Sequence, residues 1–189
     1  MAGDLLDAVL RALCAFSFAA KRQQEFSYLE IGVLHGINLI GTYEAIRHRF
    51  NKVMFTAIDP FAGYYGEPVD PLGMPVSQKV FEDNLALFAV PQEDIRLFVG
   101  SSLDPIIQDA QKEQSYDLLF VDGDHSYEGV KGDCDFYCNL LKPQGLLIID
   151  NYDDGTCPGV TEFVNNELLT SNAYIKLGIV GRTIVFRRC

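Results

Sequence analysis

The chain has 189 residues, 48% of them apolar, and a formal net charge of −11. That length suits one domain with a sizeable core, and the apolar share excludes a disordered chain. The acidic balance speaks against nucleic acid or an anionic membrane as partner, since both recruit clustered cations, and favours a small neutral or cationic ligand. Of the cysteines, Cys14, Cys134, Cys138, Cys157 and Cys189, no two form a C-x-x-C pair, and their number is odd. Cys134 and Cys138 share a helix face, a packing pattern. Reduced thiols and a cytoplasmic setting are expected.

Residues 1–24 are expected to be an N-terminal helix, running from Asp4 to about Arg22. Leu5, Leu6, Val9, Leu10, Leu13, Phe16 and Phe18 form its apolar face. It lacks a basic leader and is too short to span a bilayer, so it packs on the sheet or on a second copy, a hint of a homodimer. Residues 28–31 predict the first strand, followed by a glycine turn at 32–36 and a helix from Ile37 to about Phe50. Residues 53–58 predict the second strand, ending in Asp59. Residues 60–75 hold four prolines, three glycines and two tyrosines, Tyr64 and Tyr65. So long a connection reads as a lid or binding loop. A helix at 76–88 precedes a third strand at 95–99, which runs into Gly100, Ser101 and Ser102.

After a helix at 103–112 comes the run Leu118, Leu119, Phe120 and Val121, which stops abruptly in Asp122, Gly123, Asp124 and His125. A short strand that is apolar on both faces belongs in the middle of a parallel sheet. Ligands of such sheets bind beyond the C-terminal strand ends. A helix at 127–141 follows, closed by Lys142, Pro143 and Gly145. The next strand, 146–149, ends in Asp150 and Asn151 in the same manner, and a polar loop and a helix at about 160–169 follow. Residues 174–180 and 182–187, split by Gly181, predict an antiparallel hairpin. The whole is a single α/β domain over 1–189, with a mostly parallel sheet covered by helices on both faces.

The turn Glu30-Ile-Gly32-Val-Leu-His-Gly36 lacks the middle glycine of the dinucleotide fingerprint, which disfavours a pyrophosphate, and it is not a phosphate-binding P-loop. Glu30 would repel a phosphate and attract an ammonium group. Asp59 suits a ribose diol. A cofactor with a ribose, a positive charge and no phosphate meets these demands, and S-adenosylmethionine is such a cofactor.

Together these segments resemble the class I S-adenosylmethionine-dependent methyltransferases. Glu30–Gly36 resembles their first motif, Asp59 their ribose-binding acid, and Ser101 and Ser102 fall where adenine is contacted. Leu141-Lys-Pro-Gln-Gly145 and the closing hairpin also match. The resemblance implies a Rossmann-like three-layer sandwich with a seven-stranded sheet. Within that superfamily, FVDGDHSYEGVKGD resembles a branch of small-molecule O-methyltransferases similar to the metal-dependent catechol type. That implies Asp122, Asp150 and Asn151 as Mg²⁺ ligands and His125 as the base, where catechol-type enzymes carry lysine. Hard oxygen donors suit that cation, and an imidazole can take a proton near neutral pH.

Other readings stay open on the residues alone. Asp122 and Asp124 suit helix caps, Asp150-Asn151 suits a turn, and in a metal-free enzyme Asp122 would hold the methionine ammonium. A nicotinamide-dependent oxidoreductase and a non-catalytic binding module are the alternatives to a methyltransferase acting on a hydroxylated small molecule.

Overall fold

Among the described residues, seven strands form one sheet: β1 (Glu25–Ile31), β2 (Lys52–Asp59), β3 (Ile95–Val99), β4 (Tyr116–Val121), β5 (Leu141–Ile149), β6 (Tyr174–Val180) and β7 (Thr183–Arg188). Their spatial order is β3-β2-β1-β4-β5-β7-β6. This computed structural model describes residues 10, 13–17 and 24–189. Strands β1 to β5 pair in parallel, and β7 runs antiparallel between β5 and β6. The expected Rossmann-like sheet with its closing hairpin is therefore present. Chain order reverses direction across the sheet between β1 and β4, and this switch point places the rim where a ligand crevice opens.

Alternate residues of the central strands face opposite layers, and both sets are apolar. Leu29, Ile31, Leu119, Val121, Leu147 and Ile149 pack against α3 (Pro105–Gln111), α4 (Tyr127–Tyr137) and α5 (Pro158–Phe163). Phe26, Tyr28, Leu118, Phe120 and Ile148 pack against α1 (Ile37–Ile46) and α2 (Gln78–Leu87). Leu118, Leu119 and Phe120 are wholly excluded from solvent. At about 1.5–3 kcal/mol for each buried side chain, β4 anchors whatever its last residue carries into the rim.

Several boundaries differ from the sequence expectation. Helix α4 stops at Tyr137 and tightens into a 3₁₀ turn over Cys138–Leu140. Strand β5 begins at Leu141, because Leu141 pairs with Tyr116 and the ladder then shifts register before Leu118 meets Leu146. Lys142, Pro143 and Gln144 thus lie in a strand whose first half bulges, with Gln144 at φ 62°. Helix α5 runs only from Pro158 to Phe163 and widens into a π turn over Val164–Leu168.

Of the expected N-terminal helix, residues 13–17 are helical, with Ala15 buried in the α1 layer and Phe16 under the Arg49 guanidinium. Leu10 also packs in that layer, whereas Leu13 is exposed. The remaining residues of the expected helix, and Leu5, Leu6, Val9 and Phe18 of its apolar face, lie outside the described residues. No helix among the described residues is long and apolar enough to cross a membrane.

Candidate active site

The rim between β1 and β4 is stitched by backbone bonds. The Gly32 amide donates to the Ile58 carbonyl and the Asp122 amide to the Ile31 carbonyl, both at 2.9 Å. Gly32 has φ 82°, and a Cβ placed on it would lie 2.0 Å from the Asp122 carbonyl oxygen. Only glycine permits this crossing. Leu34 and Gly36 also have positive φ, 50° and 78°, so the turn is a tight elbow feeding α1.

Asp59 locks that elbow. One of its carboxylate oxygens accepts the Leu34 amide at 2.8 Å and the other the Phe61 amide at 2.6 Å. The acid expected to receive a ribose thus also shapes the loops on either side, and each oxygen keeps a second acceptor direction. Glu30 is fully buried in the α1 layer and takes the Tyr28 hydroxyl at 2.5 Å. It stands behind the elbow, one residue short of the strand end.

His35, within the elbow, clamps the loop over 60–75. Its Nε2 is 3.2 Å from the Pro75 carbonyl, and its Nδ1 is 3.9 Å from Asp70. Past β3, the Gly100 amide donates to the Asp59 carbonyl at 3.0 Å, and the Tyr137 hydroxyl holds the Ser102 carbonyl at 2.8 Å. Ser101 and Ser102 are thereby fixed beside Asp59. Asp133, one helical turn before Tyr137, is almost wholly buried. Burial pushes its carboxyl up to about 6 against the lowering effect of the Ser102 hydroxyl. The sequence offered no signal for Asp133 beyond an acid on the inner face of a helix.

The second half of the rim carries the titratable groups. Ser126 caps α4, its hydroxyl accepting the Gly129 amide at 2.9 Å, and Asp124 accepts the Ser126 amide at 2.9 Å. Asp122 caps nothing. Its Oδ1 lies 3.2 Å from His125 Nε2. The other ring nitrogen, Nδ1, lies 2.6 Å from the Tyr65 hydroxyl and 3.3 Å from Cys157 Sγ. Burial pulls the imidazole pKa down. The hydrogen bond and charge of Asp122, joined by Asp150 and Asp124, outweigh that and leave it above the ordinary value.

Val121 and Ile149 are register partners, so Asp122 and Asp150 leave neighbouring strand tips. Asp150 accepts the Thr183 hydroxyl at 2.6 Å. Asn151 adopts the left-handed conformation, φ 58°, and donates its amide to Asp154 at 3.3 Å. Asp154 is fixed by the Thr156 amide and hydroxyl, with Asn151 and Arg182 beside it, and its carboxyl is held down at about 2. The Asn151 carbonyl accepts the Asp154 amide at 3.4 Å, so Asn151 opens a turn, and the side chains of Asp150 and Asn151 are oriented by outer partners. Among the described residues no three His, Cys, Asp or Glu side chains cluster closely enough to hold a metal ion. A magnesium site here would rest on two carboxylates and one amide oxygen. These hard donors, each held by a neighbouring side chain, fit that ion. Tyr65, Cys157 and Thr183 complete the site; the sequence marked only Tyr65, as a loop tyrosine.

Residues 29–152 match the family described as "Methyltransferase domain". The chain belongs to this family. A curated relative, the uncharacterized protein R132 of Acanthamoeba polyphaga mimivirus, is 27% identical over 136 residues, 70% of this chain and 54% of its own. The chain thus spans about half the length of that relative. Among solved structures, the chain is similar to the O-methyltransferase NovP, with a TM-score of 0.76 and 18% identity over 96% of this chain and 78% of that one. It is also similar to the O-methyltransferase TomG of Streptomyces achromogenes, solved in complex with SAM, with a TM-score of 0.62 and 16% identity over 95% and 79% of the two chains. At these identities the likeness is one of fold.

Proposed function

We propose that this methyltransferase moves a methyl group from S-adenosylmethionine to a hydroxyl of a small-molecule acceptor, with His125 as the base. The observation that carries the reading is the chain of contacts from Asp122 through His125 to a hydroxyl, at a strand tip in backbone contact with the glycine elbow. S-adenosylmethionine supplies a methyl on a sulfonium, whose carbon–sulfur bond breaks as the acceptor oxygen bonds to that carbon and S-adenosylhomocysteine leaves.

The chain's own part is to hold, aim and deprotonate. The Gly32–Gly36 elbow would bring backbone against the adenosyl–methionine moiety, with the buried Glu30 carboxyl behind it. Asp59 offers its remaining acceptor directions to the ribose, and Ser101 and Ser102 form the adenine edge. Asp122 holds the His125 Nε2 proton, which leaves the Nδ1 lone pair as the basic site. The acceptor's proton ends on Nδ1, and Asp122, Asp150 and Asp124 stabilise the imidazolium. Mg²⁺, where present, would be held by Asp122, Asp150 and Asn151 and would lower the acceptor hydroxyl's pKa. All five cysteines are free thiols, which accords with the proposed cytoplasmic setting.

Isothermal titration with S-adenosylhomocysteine tests the reading. Saturable binding is expected, together with a rise in melting temperature, while NADH gives neither. No heat and no thermal shift at millimolar S-adenosylhomocysteine would overturn it.

A further inference from the structure

The loop over 60–75 is built to present one side chain. Tyr64 and Glu67 exchange both backbone hydrogen bonds, at 2.7 and 3.0 Å, across Tyr65 and Gly66, whose φ values are 51° and 88°. Two positive φ values mark a type I′ hairpin turn, in which an aromatic residue is strained. The base of the loop is pinned by Phe61 on Asp59, by Pro75 on His35 and by Asp70, which caps the Leu72 and Met74 amides at 2.9 and 2.8 Å. The tip, residues 64–67, lies between these pins and is held by its own two backbone bonds. There Tyr65, though 71% exposed, sets its hydroxyl on His125 Nδ1, and its ring meets Tyr64 edge-on at 4.7 Å.

With Nε2 committed to Asp122, Nδ1 carries the one lone pair that His125 can offer to an acceptor. A phenol, with an ordinary pKa of about 10, is protonated near neutral pH, so toward an unprotonated Nδ1 the Tyr65 hydroxyl is the donor. A base whose lone pair already receives a hydroxyl cannot take a proton from another. We propose that Tyr65 is a displaceable gate: its hydroxyl holds the position the acceptor hydroxyl takes, and acceptor binding exchanges one for the other on His125 Nδ1. The gate rests on the reading of His125 as the base. Gly63, φ 108°, and Gly66 flank the moving tip and supply its hinges.

Peptide-resolved carbethoxylation of His125 by diethyl pyrocarbonate, at about pH 8.5 where free imidazole is unprotonated, reads the state of that lone pair without an acceptor. In Tyr65→Phe, which keeps the ring and removes the hydroxyl, His125 should react about fivefold faster, as expected for one lost hydrogen bond. Exposed His48 should keep its rate. In Tyr65→Ala, free p-cresol, the tyrosine side chain itself, should slow His125 saturably, while having no effect on the wild type. A rise below twofold in Tyr65→Phe, or no protection by p-cresol in Tyr65→Ala, overturns the gate. Calorimetry with S-adenosylhomocysteine on the same three proteins keeps the two ideas apart. Loss of binding in all of them sinks the methyl-transfer reading, whereas the His125 rates alone decide the gate.

Discussion

At the scale of single residues, His125 is defined by what flanks it. Three carboxylates raise its pKa and burial lowers it, with the carboxylates prevailing. A base works deprotonated, so activity should be lost at low pH and rise through a pKa above the ordinary histidine value of about 6.5. Asp122→Asn should move that rise to lower pH. His125→Asn should reduce acceptor-dependent release of S-adenosylhomocysteine by about 10²–10⁴-fold and leave S-adenosylhomocysteine affinity intact. A pH profile that ignores Asp122→Asn would remove His125 from the chemistry. Asp133 makes the opposite kind of prediction. Its folded pKa of about 6 exceeds the ordinary 3.8, so the folded state binds the extra proton between those values. The carboxyl is therefore tolerated below about pH 4, and stability falls as pH climbs through about 6, by on the order of 3 kcal/mol in all. Asp133→Asn, nearly the shape of the protonated acid, should match wild type in urea midpoint near pH 4 and exceed it near pH 7.

At the scale of elements, Gly32 decides whether β1 can meet β4. Gly32→Ala forces a Cβ to within 2.0 Å of the Asp122 backbone oxygen at a φ of 82°, and should lower stability by on the order of 3 kcal/mol or more. Gly41 in α1 meets nothing within 4 Å, so Gly41→Ala should stabilise by about 0.5–1 kcal/mol. Comparing their urea midpoints checks both. The strands were legible because burial on both faces writes itself as short apolar runs, and the acids at their ends were legible because each run stops in polar residues. The start of β5 was hidden, since Lys142-Pro143-Gln144 reads as a helix stop and only its pairing with Tyr116 makes it a strand. The short end of α5 was hidden in the same way, because Val160 to Leu169 keeps its apolar spacing through the π turn. Within the site, Asp122 and His125 are three residues apart and were found together. The contacts of His125 with Tyr65 and Cys157, and of Asp150 with Thr183, join residues 60, 32 and 33 positions apart. No local pattern encodes such a meeting.

For the whole molecule, the strand order reverses between β1 and β4, and on the proposed reading this divides the rim into two halves with separate tasks. β1, β2 and β3 end in Gly32, Asp59 and the 100–102 turn, which suit an adenosyl moiety. β4 and β5 end in Asp122, Asp150 and Asn151, which suit an oxygen and a cation. Asp122 stands on the boundary, its backbone paired to β1 and its side chain turned to His125. Asp150 stands wholly on the far side, tied to Thr183 of β7. Substitutions should therefore separate the two functions. Asp150→Ala is expected to leave S-adenosylhomocysteine binding within about twofold, since distant sites without shared partners are nearly independent, and to remove the heat of Mg²⁺ binding. EDTA is expected to depress turnover in the wild type, with Mg²⁺ restoring it. Turnover indifferent to EDTA, with no Mg²⁺ heat in either protein, would take the cation out of the far half and leave Asp122 and His125 to handle the proton alone. A joint loss of cofactor and cation binding in Asp150→Ala would instead show that the halves are one site, and that the switch point divides nothing.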